Sequence, residues 1–101
     1  MLAVKRSPGR KPEIIGIENT LEALQEAVGG YIETLTVDDY TVLIMDEEGK
    51  LKGKPVCMTY KGECLVGDIL VLGYIGDEFY DIGPEAMKQW APELFPQRVD
   101  I

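Results

Sequence analysis

The chain has 101 residues, a length that accommodates one domain around one modest core. Apolar residues make up 46% of the sequence and charged residues 28%, a balance typical of a folded globular protein rather than a disordered chain. Histidine is absent and serine occurs once, at Ser7, which excludes the nucleophile–base pairs of most hydrolases. No apolar run approaches the roughly 20 residues of a membrane span, so we expect no membrane insertion.

The net charge of −8 is distributed in segments of opposite sign. Residues 1–12 carry four basic and no acidic residues, whereas residues 13–49 carry ten acidic and no basic residues. An acidic surface repels phosphates, so we expect no direct nucleic-acid binding. No apolar stretch of signal-peptide length precedes Lys5, and we therefore expect a cytoplasmic protein in which Cys57 and Cys64 are free thiols.

The first half of the chain predicts strands on either side of one helix. Residues 2–6 and 13–17 predict two strands around a Pro8-Gly9 turn. Asn19 predicts the N-cap of the main helix, over about residues 20–28, whose apolar positions share one face. Gly29-Gly30 ends this helix, and residues 31–37 and 40–45 predict a hairpin.

The second half predicts further strands and a short helix. An acidic turn at residues 46–49 leads to Lys50-Leu51-Lys52, which could start a return strand. The remaining predicted elements are a hairpin of residues 56–60 and 63–66 around Lys61-Gly62, a strand at 69–72 buried on both faces, a short C-terminal helix over about 84–91 and a frayed tail at 97–101.

Together these elements predict one α+β domain spanning residues 1–101. Its sheet is mainly antiparallel, because the strands are joined by short turns. The main helix (about 20–28) packs on one face of that sheet, and the short helix (about 84–91) follows at the C-terminus.

No catalytic, metal or cofactor site is predicted. Zinc needs about four ligands, and the chain offers two cysteines and no histidine. If Lys61-Gly62 is a hairpin turn, Cys57 and Cys64 lie on one face of the hairpin as small apolar residues. The acidic runs fall in predicted turns, where acids are common for backbone reasons. We therefore expect the protein not to be an enzyme.

One set of residues predicts weak binding of a nucleotide-like anion. Lys50, Lys52 and Lys54 alternate, so an extended strand would place them on one face. A lysine-lined strand is also typical of an edge protected against aggregation, and this is the interpretation that we favour over anion binding. The candidate ligand-binding residues are Lys52, Lys54, Lys61, Tyr60 and Tyr74.

The string LQEAVGGYIE at residues 24–33 resembles the helix-to-strand junction of a small family of domains of unknown function from bacterial genomes, phages and other mobile elements. The Pro8-Gly9 turn, the acidic turn at 46–49 and the segment VGDILVLG at 66–73 fit the same family. Cys57-Met58 departs from it, because an Asn-Arg-like pair is expected there. The resemblance implies this fold and a phage or mobile-element setting, and it implies no reaction.

Three functional hypotheses follow. The leading one is a non-enzymatic accessory protein of a mobile element that binds a partner protein through its surface and can form a homodimer through a sheet edge. The second is an acidic inhibitor that imitates nucleic acid, motivated by the ten acids of residues 13–49. The third is a binder of a small anionic ligand through the lysines and tyrosines named above.

Overall fold

The computed structural model describes residues 1–96 and confirms an α+β fold with a mainly antiparallel sheet and two helices, one main and one short. The predicted tail at 97–101 lies outside the described residues, so the single-domain prediction for 1–101 stays a prediction. The elements in chain order are β1 (Leu2–Arg6), β2 (Glu13–Gly16), α1 (Leu21–Val28), β3 (Ile32–Asp38), β4 (Thr41–Asp46), β5 (Val56–Tyr60), β6 (Glu63–Val66), β7 (Ile69–Ile75), β8 (Glu78–Tyr80), α2 (Pro84–Trp90) and a 3₁₀ turn at Pro92–Leu94.

The main sheet has six strands, of which five lie in the order β2-β1-β7-β4-β3. The sixth strand, β8, lies on the same side of β7 as β1. Strand β1 pairs with the first half of β7, and β8 pairs with the last three residues of β7. All these pairings are antiparallel. Strands β4 and β7 therefore form the centre of the sheet, and their apolar runs are buried on both faces, as a continuous apolar segment predicts.

The core lies on both faces of the sheet, because successive side chains of a strand point to opposite sides. Val42 and Ile44 of β4 pack with Leu24 and Val28 of α1 on one face. Leu43 packs on the other face, against side chains of the β5–β6 hairpin and α2. The main helix thus covers one face, as predicted, and the hairpin forms a second layer on the opposite face.

Helix α1 begins one residue later than the capping pattern predicts. Thr20, not Asn19, is the N-cap, because its hydroxyl accepts a hydrogen bond from the Ala23 amide at 3.1 Å. Asn19 instead donates its side-chain amide to the Phe79 carbonyl at 3.2 Å, which ties the helix entry to β8. Gly29 ends the helix in the left-handed conformation, as expected of a glycine at this position.

The predicted return strand at Lys50-Leu51-Lys52 is wrong. Residues 47–53 form consecutive turns instead, held by hydrogen bonds from the Lys52 amide to the Glu48 carbonyl at 3.0 Å and from the Gly53 amide to the Lys50 carbonyl at 3.1 Å. The alternation of the three lysines therefore does not place them on one face of a strand. We call residues 47–54 the lysine loop.

The predicted hairpin around Lys61-Gly62 is confirmed, and both turn residues have positive φ, at 49° and 80°. The expected common face for the two cysteines is wrong. The register of β5 against β6 shifts between Val56 and Met58, so Cys57 packs towards the core beside Met58 while Cys64 is exposed. Both cysteines are free thiols.

Helix α2 is fastened to β1 through Arg6. The guanidinium donates to the Trp90 carbonyl at 2.8 Å and forms an ion pair with Glu93 at 2.9 Å. This ion pair and its hydrogen bonds lower the pKa of the Glu93 carboxyl. Within residues 1–96, none of the helices combines the length and apolarity that crossing a membrane requires.

Candidate functional site

Two of the predicted ligand-binding residues, Lys52 and Lys54, converge on Asp46 at the end of β4. Each ammonium nitrogen lies 2.8 Å from the same carboxylate oxygen, Oδ2. The Asp46 side chain is only 1% exposed, whereas those of Lys52 and Lys54 are 41% and 24% exposed. We call these three residues the Asp46 cluster.

The Asp46 carboxylate is held in its charged form. Burial raises the pKa of Asp46, but hydrogen bonds from Lys52, Lys54 and the Glu48 amide together outweigh that effect, so the pKa lies well below its ordinary range. The Glu48 amide donates to Oδ1 at 2.9 Å, so both carboxylate oxygens are occupied. The charges of the two ammonium groups are therefore partly neutralised within the protein.

The same lysines also close the C-terminal end of α1. Lys54 donates to the Val28 carbonyl at 2.8 Å, and Lys52 donates to the Gly29 carbonyl at 3.0 Å. Unpaired carbonyls carry partial negative charge at this end of a helix, and ammonium groups compensate it. The Asp46 cluster therefore fastens the lysine loop to the end of the helix.

Gly30 leaves space for this cluster. A Cβ at position 30 would lie 2.5 Å from Asp46 Oδ1 and 2.7 Å from Lys52 Nζ, which is closer than side-chain carbons approach. The glycine pair within the LQEAVGGYIE string thus has a structural explanation: Gly29 ends the helix and Gly30 admits the carboxylate.

The other three predicted residues lie elsewhere. Tyr60 packs against Trp90 with ring centroids 5.6 Å apart, and the Lys61 ammonium lies 5.5 Å from the centre of the Tyr60 ring. Tyr74 packs against Phe79 at 6.1 Å on the α1 face of the sheet, opposite to Tyr60. The five residues do not form one site, and anion binding stays a prediction.

A second region, of which sequence reasoning named only Tyr74, forms an open groove. It has a volume of about 420 Å³ and lies where the β3–β4 turn, the ends of β7 and β8 and the start of α2 meet. Its lining consists of Asp38, Tyr40, Thr41, Gly73, Tyr74, Ile75, Tyr80, Asp81, Gly83, Pro84, Glu85, Ala86 and Gln89. We call this cavity the tyrosine groove.

Backbone hydrogen bonds position the groove's acidic and aromatic residues. The Tyr74 amide donates to the Tyr40 carbonyl at 2.9 Å, which joins the end of β7 to the β3–β4 turn. Asp38 Oδ1 accepts the Tyr40 amide at 2.8 Å, and Asp81 Oδ1 accepts the Leu2 amide at 2.7 Å. Each carboxylate thus uses one oxygen to hold the backbone.

The groove is negatively charged and rich in aromatic surface. Asp38, Asp81 and Glu85 line it, and its lining contains neither lysine nor arginine. Tyr40 is 70% exposed and Tyr80 is 44% exposed. Tyr80 donates its hydroxyl to Glu78 at 3.1 Å, and this hydrogen bond raises the pKa of Tyr80. Carboxylates beside tyrosine faces bind cations, by ion pairing and by cation–π attraction.

The chain offers only an indirect signal for this groove. Tyr40 directly follows Asp38-Asp39 in the β3–β4 turn, and Tyr80 directly precedes Asp81 at the end of β8, so tyrosine and aspartate adjoin at two separate places in the chain. The pairing of β7 with β4 and with β8 brings these two places together, and no local pattern encodes that pairing. Within residues 1–96, no group of three or more acidic or cysteine side chains is arranged to hold a metal ion.

Comparison with known proteins gives one result. No curated protein and no solved structure matches the chain. Residues 1–94 match the family model described as a domain of unknown function, DUF3846. Because the match covers nearly the whole sequence, including the helix-to-strand junction and the residues that line the tyrosine groove, the chain belongs to the DUF3846 family.

Proposed function

We propose that this chain is a non-enzymatic accessory protein that binds a positively charged segment of a partner protein in the tyrosine groove. The observation that carries this proposal is the combination of two exposed lining tyrosines, Tyr40 and Tyr80, with three lining carboxylates and no lining base. Lysine and arginine side chains match that chemistry, because they form ion pairs with carboxylates and stack on aromatic faces.

The composition supports action by binding rather than by catalysis. Histidine is absent from the sequence, and the buried carboxylate of Asp46 is occupied by Lys52 and Lys54. Surface recognition needs neither a proton shuttle nor a nucleophile. The acidic exterior, with a net charge of −8, also favours a basic protein partner over nucleic acid.

The setting of this function rests on separate arguments. A phage or mobile-element context comes from the resemblance of residues 24–33 to families of that kind. A cytoplasmic location agrees with the free thiols of Cys57 and Cys64, since reducing compartments keep thiols unpaired. Both are parts of the proposal, and neither is needed for the binding test.

The test uses a capped, fluorescently labelled hexa-arginine peptide as the probe and measures anisotropy on titration with the full chain at low salt. Replacing Tyr40 by alanine removes an exposed ring from the groove, and we expect binding about fivefold weaker, which is roughly 1 kcal/mol for a lost cation–π contact. Tyr31→Ala is the matched control, because Tyr31 is 66% exposed and lies outside the groove.

A charge variant tests the other half of the site. We expect Glu85→Lys to weaken peptide binding about tenfold, because it places a like charge against the probe. Glu18→Lys changes the net charge equally at an exposed position outside the groove lining and should change binding less than twofold. Equal effects of the two variants, or no binding by the unmodified chain, would refute the groove as the recognition site.

Imitation of nucleic acid is a second candidate, supported by a specific observation. Of the ten acids in residues 13–49, only Asp46 is buried, so nine carboxylates are exposed. In a nucleic-acid mimic, many such charges each contribute a small part of the binding free energy. In groove binding, a few lining residues contribute most of it. The double variant Glu22→Gln, Glu26→Gln on α1 therefore separates them: it should weaken a mimic's binding of a basic protein and leave groove binding nearly unchanged. Salt near 0.5 M, where the Debye length is about 4 Å, should abolish binding by a mimic.

A further inference from the structure

Strand β3 is an open edge of the main sheet. Among residues 1–96 it pairs with β4 only, so its other side presents backbone amides and carbonyls without a strand partner. Its seven residues, IETLTVD, include neither proline nor lysine, the two residues that most often protect an edge from pairing. This edge is therefore able to accept an added strand.

A cavity of about 220 Å³ lies directly beside this edge. Glu33 and Leu35 of β3 line it, together with Met45 of β4 and Leu65 of β6. The register pairs Glu33 with Met45 and Leu35 with Leu43, so these side chains point to the face covered by the β5–β6 hairpin. A strand added to β3 would point every second side chain towards that cavity, because strand side chains alternate.

The rim of the cavity specifies the charge of the added strand. Four acids line it against one base: Asp46, which is paired with Lys52 and Lys54, and the exposed Glu33, Glu47 and Glu63. The base is Lys50, whose ammonium lies 3.6 Å from Glu63. Strand β3 ends at Asp38, which also lines the tyrosine groove. The whole edge is thus acidic, and a basic segment is complementary to it.

We infer that β3 binds an extended segment of a partner protein, which adds a strand to the sheet and carries an apolar and a basic residue two positions apart. Side chains two positions apart point to the same face, so the apolar side chain enters the cavity beside Leu35 and the basic side chain lies against Glu33 on the acidic rim. A second copy of this chain does not fit as well, because β3 itself carries Glu33 and Asp38 and no base. The inference rests on the proposed function only in taking the partner to be a protein.

The test uses two capped peptides of equal composition as probes, titrated into the isotope-labelled full chain. The alternating peptide, Thr-Arg-Thr-Val-Thr-Arg-Thr, carries its arginines and its valine on one face of a strand, whereas the second peptide, Arg-Thr-Thr-Val-Thr-Thr-Arg, carries its arginines on the face opposite to its valine. Amide chemical shifts and hydrogen exchange report the site. We expect the alternating peptide to shift the amides of residues 32–38 and to slow exchange along β3. The second peptide carries the same charge without the alternation, and it should bind at least fivefold more weakly if strand addition is the mode.

Two variants that change the net charge of the chain by the same amount test whether the peptide contacts β3. Glu33→Lys should weaken binding of the alternating peptide about tenfold, whereas Glu22→Lys on the exposed side of α1 should weaken it less than twofold. Both positions are exposed, so both variants should fold, and the amide spectrum of each verifies this.

Four outcomes would overturn the inference. They are equal binding of the two peptides, no shift at β3 up to millimolar peptide, shifts confined to the tyrosine groove, or concentration-dependent shifts at β3 without peptide. The third outcome would leave the proposed function intact while removing β3 from it. The fourth would assign the edge to a homodimer instead. Loss of hexa-arginine binding with retained β3 shifts would remove the groove and keep the edge.

Discussion

At one end of β4, Asp46 is buried and holds two lysines; at the other end, Thr41 lines a groove of exposed tyrosines and carboxylates. Charged groups at the first end are neutralised by one another and by the carbonyls of α1. Charged groups at the second end have no basic counterpart in the groove lining. Charges that are satisfied internally maintain the fold, and charges left open towards solvent are available to a partner. We therefore expect substitutions at the Asp46 end of β4 to change stability and substitutions at the Thr41 end to change binding.

The largest effect is expected from Asp46→Ala. The substitution leaves Lys52 and Lys54 without their shared carboxylate beside a protein surface that partly desolvates them. We expect the free energy of unfolding to fall by about 3 kcal/mol, as for loss of one partner of a buried ion pair. Urea unfolding measures it, and Glu47→Ala, at the exposed neighbouring position, should change the value by less than about 0.5 kcal/mol. A loss no larger than that of the Glu47 variant would mean that the cluster does not stabilise the fold.

A somewhat smaller effect is expected from Gly30→Ala. The new methyl group would overlap Asp46 Oδ1 and Lys52 Nζ, so the cluster must rearrange. Overpacking of this kind costs about 2 kcal/mol in the free energy of unfolding. Gly16→Ala is the control, because a Cβ there meets no atom within 4 Å. If the two variants unfold at the same urea concentration, the close approach at position 30 is not a constraint.

The sequence predicts the features that depend on local interactions and misses those that depend on tertiary contacts. The sheet, α1 and α2 follow from local periodicity, capping and turn residues, and these are confirmed. The Asp46 cluster is not predicted, because Asp46 adjoins two exposed acids and has the local pattern of a turn residue. Its burial is imposed by the lysine loop folding back onto α1, which is a tertiary contact. The groove is missed for the same reason, since Tyr40 and Tyr80 are brought together by strand pairing.

Lowering the pH should reduce the contribution of Asp46 to the free energy of unfolding within a defined pH window. The folded pKa of Asp46 lies below its unfolded value of about 3.9, so its contribution is complete above that pH and is lost as pH falls towards the folded pKa. The stability gap between the unmodified chain and Asp46→Asn should be constant from pH 7 to 5 and shrink by about 1 kcal/mol at pH 3. Urea unfolding at each pH measures the gap. A gap that grows as pH falls from 7 to 5 would show that burial raises the pKa of Asp46 above its unfolded value and that the lysines do not control it.

The smallest effect on stability is expected at the tyrosine groove. Tyr40 is 70% exposed, so Tyr40→Ala removes little buried surface, and the free energy of unfolding should change by less than about 0.5 kcal/mol. The same variant should weaken hexa-arginine binding about fivefold, so binding and stability are separated in one molecule. Lys54→Ala, at the other end of β4, should show the reverse: lower stability and unchanged peptide binding. If Tyr40→Ala destabilised the chain as much as Lys54→Ala, the tyrosine would belong to the fold. Its loss of binding would then report partial unfolding rather than a removed contact.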